Sequence, residues 1–124
     1  MSQLSLAWMY GDGRGGEKDE ETAFRLRGEA AATGHPAAQY ALGYSFALGL
    51  GTDKNPGTAA FWFRLAAEQG HRAAQSSLGM LYRVGRGLPQ DRKQAIYWYR
   101  KAAEQGDTQA AKAVAELEPK ARTP

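Results

Sequence analysis

The chain repeats itself every 36 residues, and this self-similarity restricts its fold more than any single motif does. Residues 37–43 read AAQYALG and residues 73–79 read AAQSSLG, while 66–70 and 102–106 both read AAEQG. Aligned without a gap, 36–71 and 72–107 agree at about 15 of 36 positions, and the register reaches back to Met1. Leu6, Leu42 and Leu78 fall in step, as do Tyr10, Phe46 and Tyr82, the pairs Gly13-x-Gly15, Gly49-x-Gly51 and Gly85-x-Gly87, and Gly34, Gly70 and Gly106. A recurring unit of this length is one supersecondary element that cannot bury its apolar face alone, so its copies must stack.

Each unit carries the signals of two helices. In the middle copy Leu42 and Phe46 lie four apart on one face with Ala38 a turn earlier, and the following G-x-G ends that helix. The second helix is expected to start after Asp19, Asn55 or Asp91, each a good N-cap. Pro56 suits the first helical position, and Gln94 three residues after Asp91 predicts a capping box. These signals predict seven helices, at roughly 1–11, 20–33, 37–48, 56–69, 73–84, 92–105 and 108–117. The last, TQAAKAVAEL, has the pattern of a first-type helix standing alone, a cap over the final open face.

Composition agrees. The sequence has 23 alanines against 2 valines and 1 isoleucine, which argues against a sheet and for closely crossing helices. Ala66, Ala67, Ala102, Ala103, Gly43 and Gly79 let backbones approach, and Trp62 and Trp98 are expected to plug the space between paired helices. One all-α domain is expected over 1–117, in units of about 1–35, 36–71 and 72–107 with a cap helix at 108–117 and a tail at 118–124.

The unit AAQYALG-x3-AxGxG…AA-x-W-x-RxAAEQGH resembles the Sel-one-like repeat, a relative of the tetratricopeptide repeat, over residues 1 to about 117. The first copy departs most, with Ala7 for Gly43, Leu26 for Trp62, Arg27 for Phe63 and Gly28 for Arg64. The resemblance implies a right-handed α-solenoid whose first helices line a concave face, and a role as an adaptor that holds partner proteins. Some cysteine-rich relatives are linked with penicillin binding, but this chain has no cysteine.

Sites of chemistry find little support. Gly11, Gly13 and Gly16 spell G-x-G-x-x-G, yet a helix rather than a strand precedes them, so no dinucleotide site is expected. His35 and His71 occupy one position in successive units, where stacking holds them too far apart to share a metal, and both are read as turn histidines capping nearby carbonyls. The run EKDEE at 17–21 lacks the alternate ligands and central glycine of a calcium loop and suits the positive end of a helix dipole. No enzyme activity, cofactor or metal is expected.

What remains is the other face of the first helices. Opposite Leu42 and Phe46 stand Tyr40, Tyr44, Ala47 and Leu48, and the aligned positions hold Leu4, Trp8, Gly11 and Asp12 in one copy and Ser76, Met80, Arg83 and Val84 in the other. This face varies where the leucine–aromatic face repeats. Trp8, Tyr40, Tyr44, Leu48, Met80 and Arg83 are therefore the candidate partner-binding residues; the other reading buries Trp8, Tyr44 and Met80 between successive units.

The function expected is a protein-interaction module binding a peptide or protein on the concave face. An inhibitor or immunity protein that occludes a toxin is the alternative, and a hydrolase of cell-wall fragments a weaker one. A net charge of +3 is too dilute to argue for nucleic acid. No apolar run approaches the roughly 18 residues of a membrane helix, and LSLAWMYG lacks the basic flank and cleavage site of a signal peptide, so a cytoplasmic location is expected. Met1 aligns with Ala37, inside a helix, which leaves the first unit's outer face uncovered and open to a homodimer or a partner there.

Overall fold

Asn55, Asp91 and Asp107 open three of the helices, and glycines follow the ends of all but the last. The computed structural model describes residues 17–118. They form six helices: α1 (Glu17–Ala32), α2 (Pro36–Leu48), α3 (Pro56–Glu68), α4 (Arg72–Val84), α5 (Arg92–Glu104) and α6 (Thr108–Leu117), with no strand among the described residues. The helix expected over 1–11, and with it the outer face of the first unit, lies outside these residues. The principal contacts all run between consecutive helices, the nearest-neighbour pattern of an α-helical solenoid.

The caps follow the repeat with corrections. Asn55 and Asp91 each accept from the backbone N–H three residues on, at 3.1 Å. Their own N–H groups donate to the carbonyls of Phe46 and Tyr82, at 2.7 and 2.9 Å. The Asp91 amide is thus committed to the preceding helix, and of the capping box expected with Gln94 only the Asp91 side-chain bond forms. Asp19 is no N-cap, because α1 already begins at Glu17. His71 caps an amide rather than carbonyls: its Nδ1 accepts from the Ala74 N–H at 3.1 Å, as Asp107 Oδ1 does from Ala110 at 3.0 Å. His35 stands at the same position of α2 without a side-chain cap bond.

Alanine makes the close packing possible. Ala38, Ala74 and Ala110, 36 apart, have no exposed surface. A Cβ on Gly43 would stand 2.8 Å from the Phe63 ring, and one on Gly79 3.0 Å from the Tyr99 ring, so glycine lets both aromatics pack against the backbone without shifting. In the two G-x-G pairs among the described residues, the second glycine has a packing role. Gly51 and Gly87, both at φ 76°, press against the backbone at Glu20 and Pro56, and a Cβ there would collide with it.

Buried polar groups repeat as well. Gln69 donates to Gln39 at 2.7 Å and Gln105 to Gln75 at 2.8 Å, which ties the ends of α3 and α5 to α2 and α4. Trp98 is 5% exposed, in a cluster with Ala66, Ala67, Ala74 and Leu78, and is the plug expected of it. Trp62 is only half-buried, against Ala30, Ala31, Ala38 and Leu42, and does not close its layer to the same extent.

Candidate functional site

The helical period that turns Leu42 and Leu78 into the core turns Tyr44 and Met80 away from it. In α2, α4 and α6 the corresponding positions are Tyr44, Met80 and Glu116, 36 apart, and one turn earlier Tyr40, Ser76 and Lys112. Two grooves run along these helices. The larger, about 360 Å³, lies between α4 and α6, with Ser76, Met80 and Arg83 facing Gln109, Lys112 and Glu116. The smaller, about 120 Å³, lies between α2 and α4 and is mostly apolar, lined by Ala47, Leu48, Phe63 and Leu81 and also by Arg86. Tyr44, Ser77 and Met80 line both grooves, so the two form one trough.

The candidate residues fall into different places. Met80 is 48% exposed on the ridge between the grooves, and Leu48 is exposed on the wall of the smaller one. Tyr44 is half-buried, edge-on to Phe63 at 5.3 Å between ring centroids. Tyr40 lines neither groove. Its ring packs against Tyr44, Phe63 and His71 at 5.0, 5.6 and 4.8 Å, and burial, helped by the Tyr44 hydroxyl, pushes its own hydroxyl far above the usual phenol range. Arg83 is engaged with α6, donating to Glu116 at 3.0 Å. Glu116, and then the Tyr99 hydroxyl, raise its pKa. Burial raises the pKa of Tyr99, and Arg83 opposes that shift. Trp8 lies outside the described residues.

Sequence reasoning missed Ser77, Arg86, Lys112 and Glu116. The signal for two of them was present: continuing the register one copy further puts Lys112 on the Tyr40 position and Glu116 on the Tyr44 position, so the cap helix also supplies the face it was expected only to cover.

Elsewhere, Phe61 and Tyr97 are exposed on the second helices, with Lys101 over the Tyr97 ring at 5.2 Å. A cleft of about 430 Å³ is bordered by Glu20, Glu21 and Asp53. Among the described residues no group of three or more His, Asp or Glu side chains is placed to hold a metal ion, and no helix is long and apolar enough to cross a membrane.

Comparison with known proteins fits this architecture. The family model for the Sel1 repeat matches residues 1–35, 36–71 and 72–107. A Sel1 repeat protein from Oxalobacter formigenes is 38% identical, with a TM-score of 0.86 over 93% of this chain and 47% of its own. The protective antigen c5321 of uropathogenic Escherichia coli, which displays an SLR fold, is 36% identical with a TM-score of 0.88, over 93% of this chain and 25% of its own. The chain thus spans about half of the first and a quarter of the second. Helicobacter pylori cysteine rich protein B, 18% identical at a TM-score of 0.74, shares the fold. No curated protein sequence matches the chain.

Proposed function

The chain belongs to the Sel1 repeat family, whose members are generally protein-interaction modules, and from this we propose that it binds a peptide or protein partner along the trough of α2, α4 and α6, its concave face, without chemistry of its own. One observation carries the reading. Tyr44, Met80 and Glu116 hold one position in successive copies, differ in each, and line a single trough, while recurring residues such as Leu42, Leu78, Ala38 and Ala74 are spent on packing. A surface kept free of a shared packing role is where a particular partner can be accommodated, and an exposed thioether beside a half-buried tyrosine provides adaptable and rigid apolar contact. A cytoplasmic setting is part of the proposal, to be checked by cell fractionation.

The test is affinity capture from the source cell with mass-spectrometric identification, comparing the wild type with Met80→Glu and Phe61→Glu. Both side chains are about half exposed, on different faces, so both variants are expected to fold. The proposal expects a partner lost on Met80→Glu and retained on Phe61→Glu. The reverse pattern would move the docking surface to the second helices.

A further inference from the structure

The trough has a chemistry that restricts what can lie in it, and the following rests on the reading of that face as the docking surface. The smaller groove, of about 120 Å³, is the more confined and the more apolar of the two. Its only side-chain polar groups besides the Tyr44 hydroxyl are those of Ser77 and Arg86, so it suits one aliphatic or thioether side chain.

Charge is unevenly provided along the whole trough. Arg83 and Glu116 answer each other, and Glu116 is the sole acid lining either groove among the described residues. That leaves Arg86 at the smaller groove and Lys112 at the larger, both exposed and with neither side chain in an ion pair or hydrogen bond with the described residues. One cation thus stands in each groove, with the wall of Tyr44, Ser77 and Met80 that the two share between them. Ser76, Ser77 and Gln109 add side-chain donors and acceptors, which an extended backbone can use because its own N–H and C=O groups are not paired internally as a helix's are.

We propose that the trough accepts an extended acidic polypeptide segment, with one large apolar side chain seated between Tyr44, Phe63 and Met80 and carboxylates on either side of it meeting Arg86 and Lys112. Exposed ion pairs contribute modestly to affinity, so the cations select the partner and set its direction while the apolar seat holds it. Binding weakens as salt rises, because both cations face solvent.

The probe is a random-peptide display library selected on the full chain, with enriched peptides resynthesised and titrated. The expected peptides carry an apolar residue flanked by Asp or Glu. They lose affinity on Met80→Glu, and by about tenfold or more on the double variant Arg86→Glu/Lys112→Glu. The same selection on the double variant enriches lysine-flanked peptides instead. Neutral or basic peptides that still depend on Met80 would overturn the acidic assignment and leave the docking face standing. Peptides indifferent to both variants would remove the docking face and this inference with it. Failure to enrich any peptide overturns the extended-segment proposal, leaving the face to a folded surface.

Discussion

Two layers of the stack fill the same place with opposite chemistry. Between α1 and α2, Arg27 is 2% exposed and donates to Ser45 Oγ at 3.0 Å. One unit later the same two positions hold Phe63 and Leu81, both buried in an apolar cluster with Ala59 and Ala60. Burial lowers the pKa of Arg27 and the charge of Glu20 opposes that, whereas the Phe63 layer has no charge to accommodate. A second pair of positions behaves alike. Arg64 donates to the Tyr82 hydroxyl and lies over its ring, where the earlier unit has Gly28 and Phe46 and packs Phe24 edge-on to Phe46 at 5.4 Å. The repeat thus holds the backbone spacing and leaves side-chain polarity and size open, provided both sides of a contact change together.

The largest effect that separates the layers is at the tryptophans. Trp98→Ala removes a side chain enclosed by α3, α4 and α5 and is expected to cost about 3–5 kcal/mol. Trp62→Ala takes away a half-buried one and should cost less, about 2 kcal/mol. Denaturant midpoints measure both. Equal losses would mean that the thinner layer is as tightly closed as the later one.

The polar layer can be converted into the apolar one. Ser45→Ala alone deletes an acceptor for a buried guanidinium and is expected to cost about 1.5–3 kcal/mol. The double change Arg27→Phe/Ser45→Leu reproduces the later layer and should be more stable than Ser45→Ala, since replacing a buried charge and its partner by matched apolar groups is often neutral or favourable. Urea unfolding of the single Arg27→Phe and Ser45→Leu variants and of the double completes the cycle. Purely additive losses would show that the two positions do not interact.

The period, the helix order and the alanine core were legible because they rest on identities that recur, such as Ala38, Ala74 and Gly43, and recurrence needs no knowledge of partners. Arg27 was visible as a departure, but its answer was not, because Ser45 reads as an ordinary helix serine until α1 is laid against it. The cause was similar at the trough. Lys112 and Glu116 look like the solvated side of a short cap helix, and only the proximity of α6 to α4, with Arg83 reaching Glu116, makes them a wall. Gln39 and Gln69 were hidden for another reason: identical polar residues at helix ends look like surface, yet here one amide is buried and the other satisfies it.

The smallest expected effect is at the helix starts, where three copies of one position hold His35, His71 and Asp107. His71 Nδ1 can accept from the Ala74 N–H only while the imidazole is neutral, with its proton on Nε2. Burial against Tyr40, and then the charge of Arg72, lower the His71 pKa below 6.5. The unfolded chain therefore binds a proton before the folded one does. This contribution to stability is complete above pH about 6.5 and declines as pH falls from there toward the folded-state value. Replacing the cap by His71→Ala should cost about 1 kcal/mol at pH 7, whereas His35→Ala loses no cap bond and should cost less. His71→Asp copies the Asp107 cap, keeping the bond near neutrality with a carboxylate that stays ionised well below the histidine range. Thermal midpoints of the wild type and His71→Asp, compared from pH 7.5 down to about 5, should diverge as the wild type loses its cap and the variant does not. Parallel curves over that range would show that protonation of His71 leaves the start of α4 untouched.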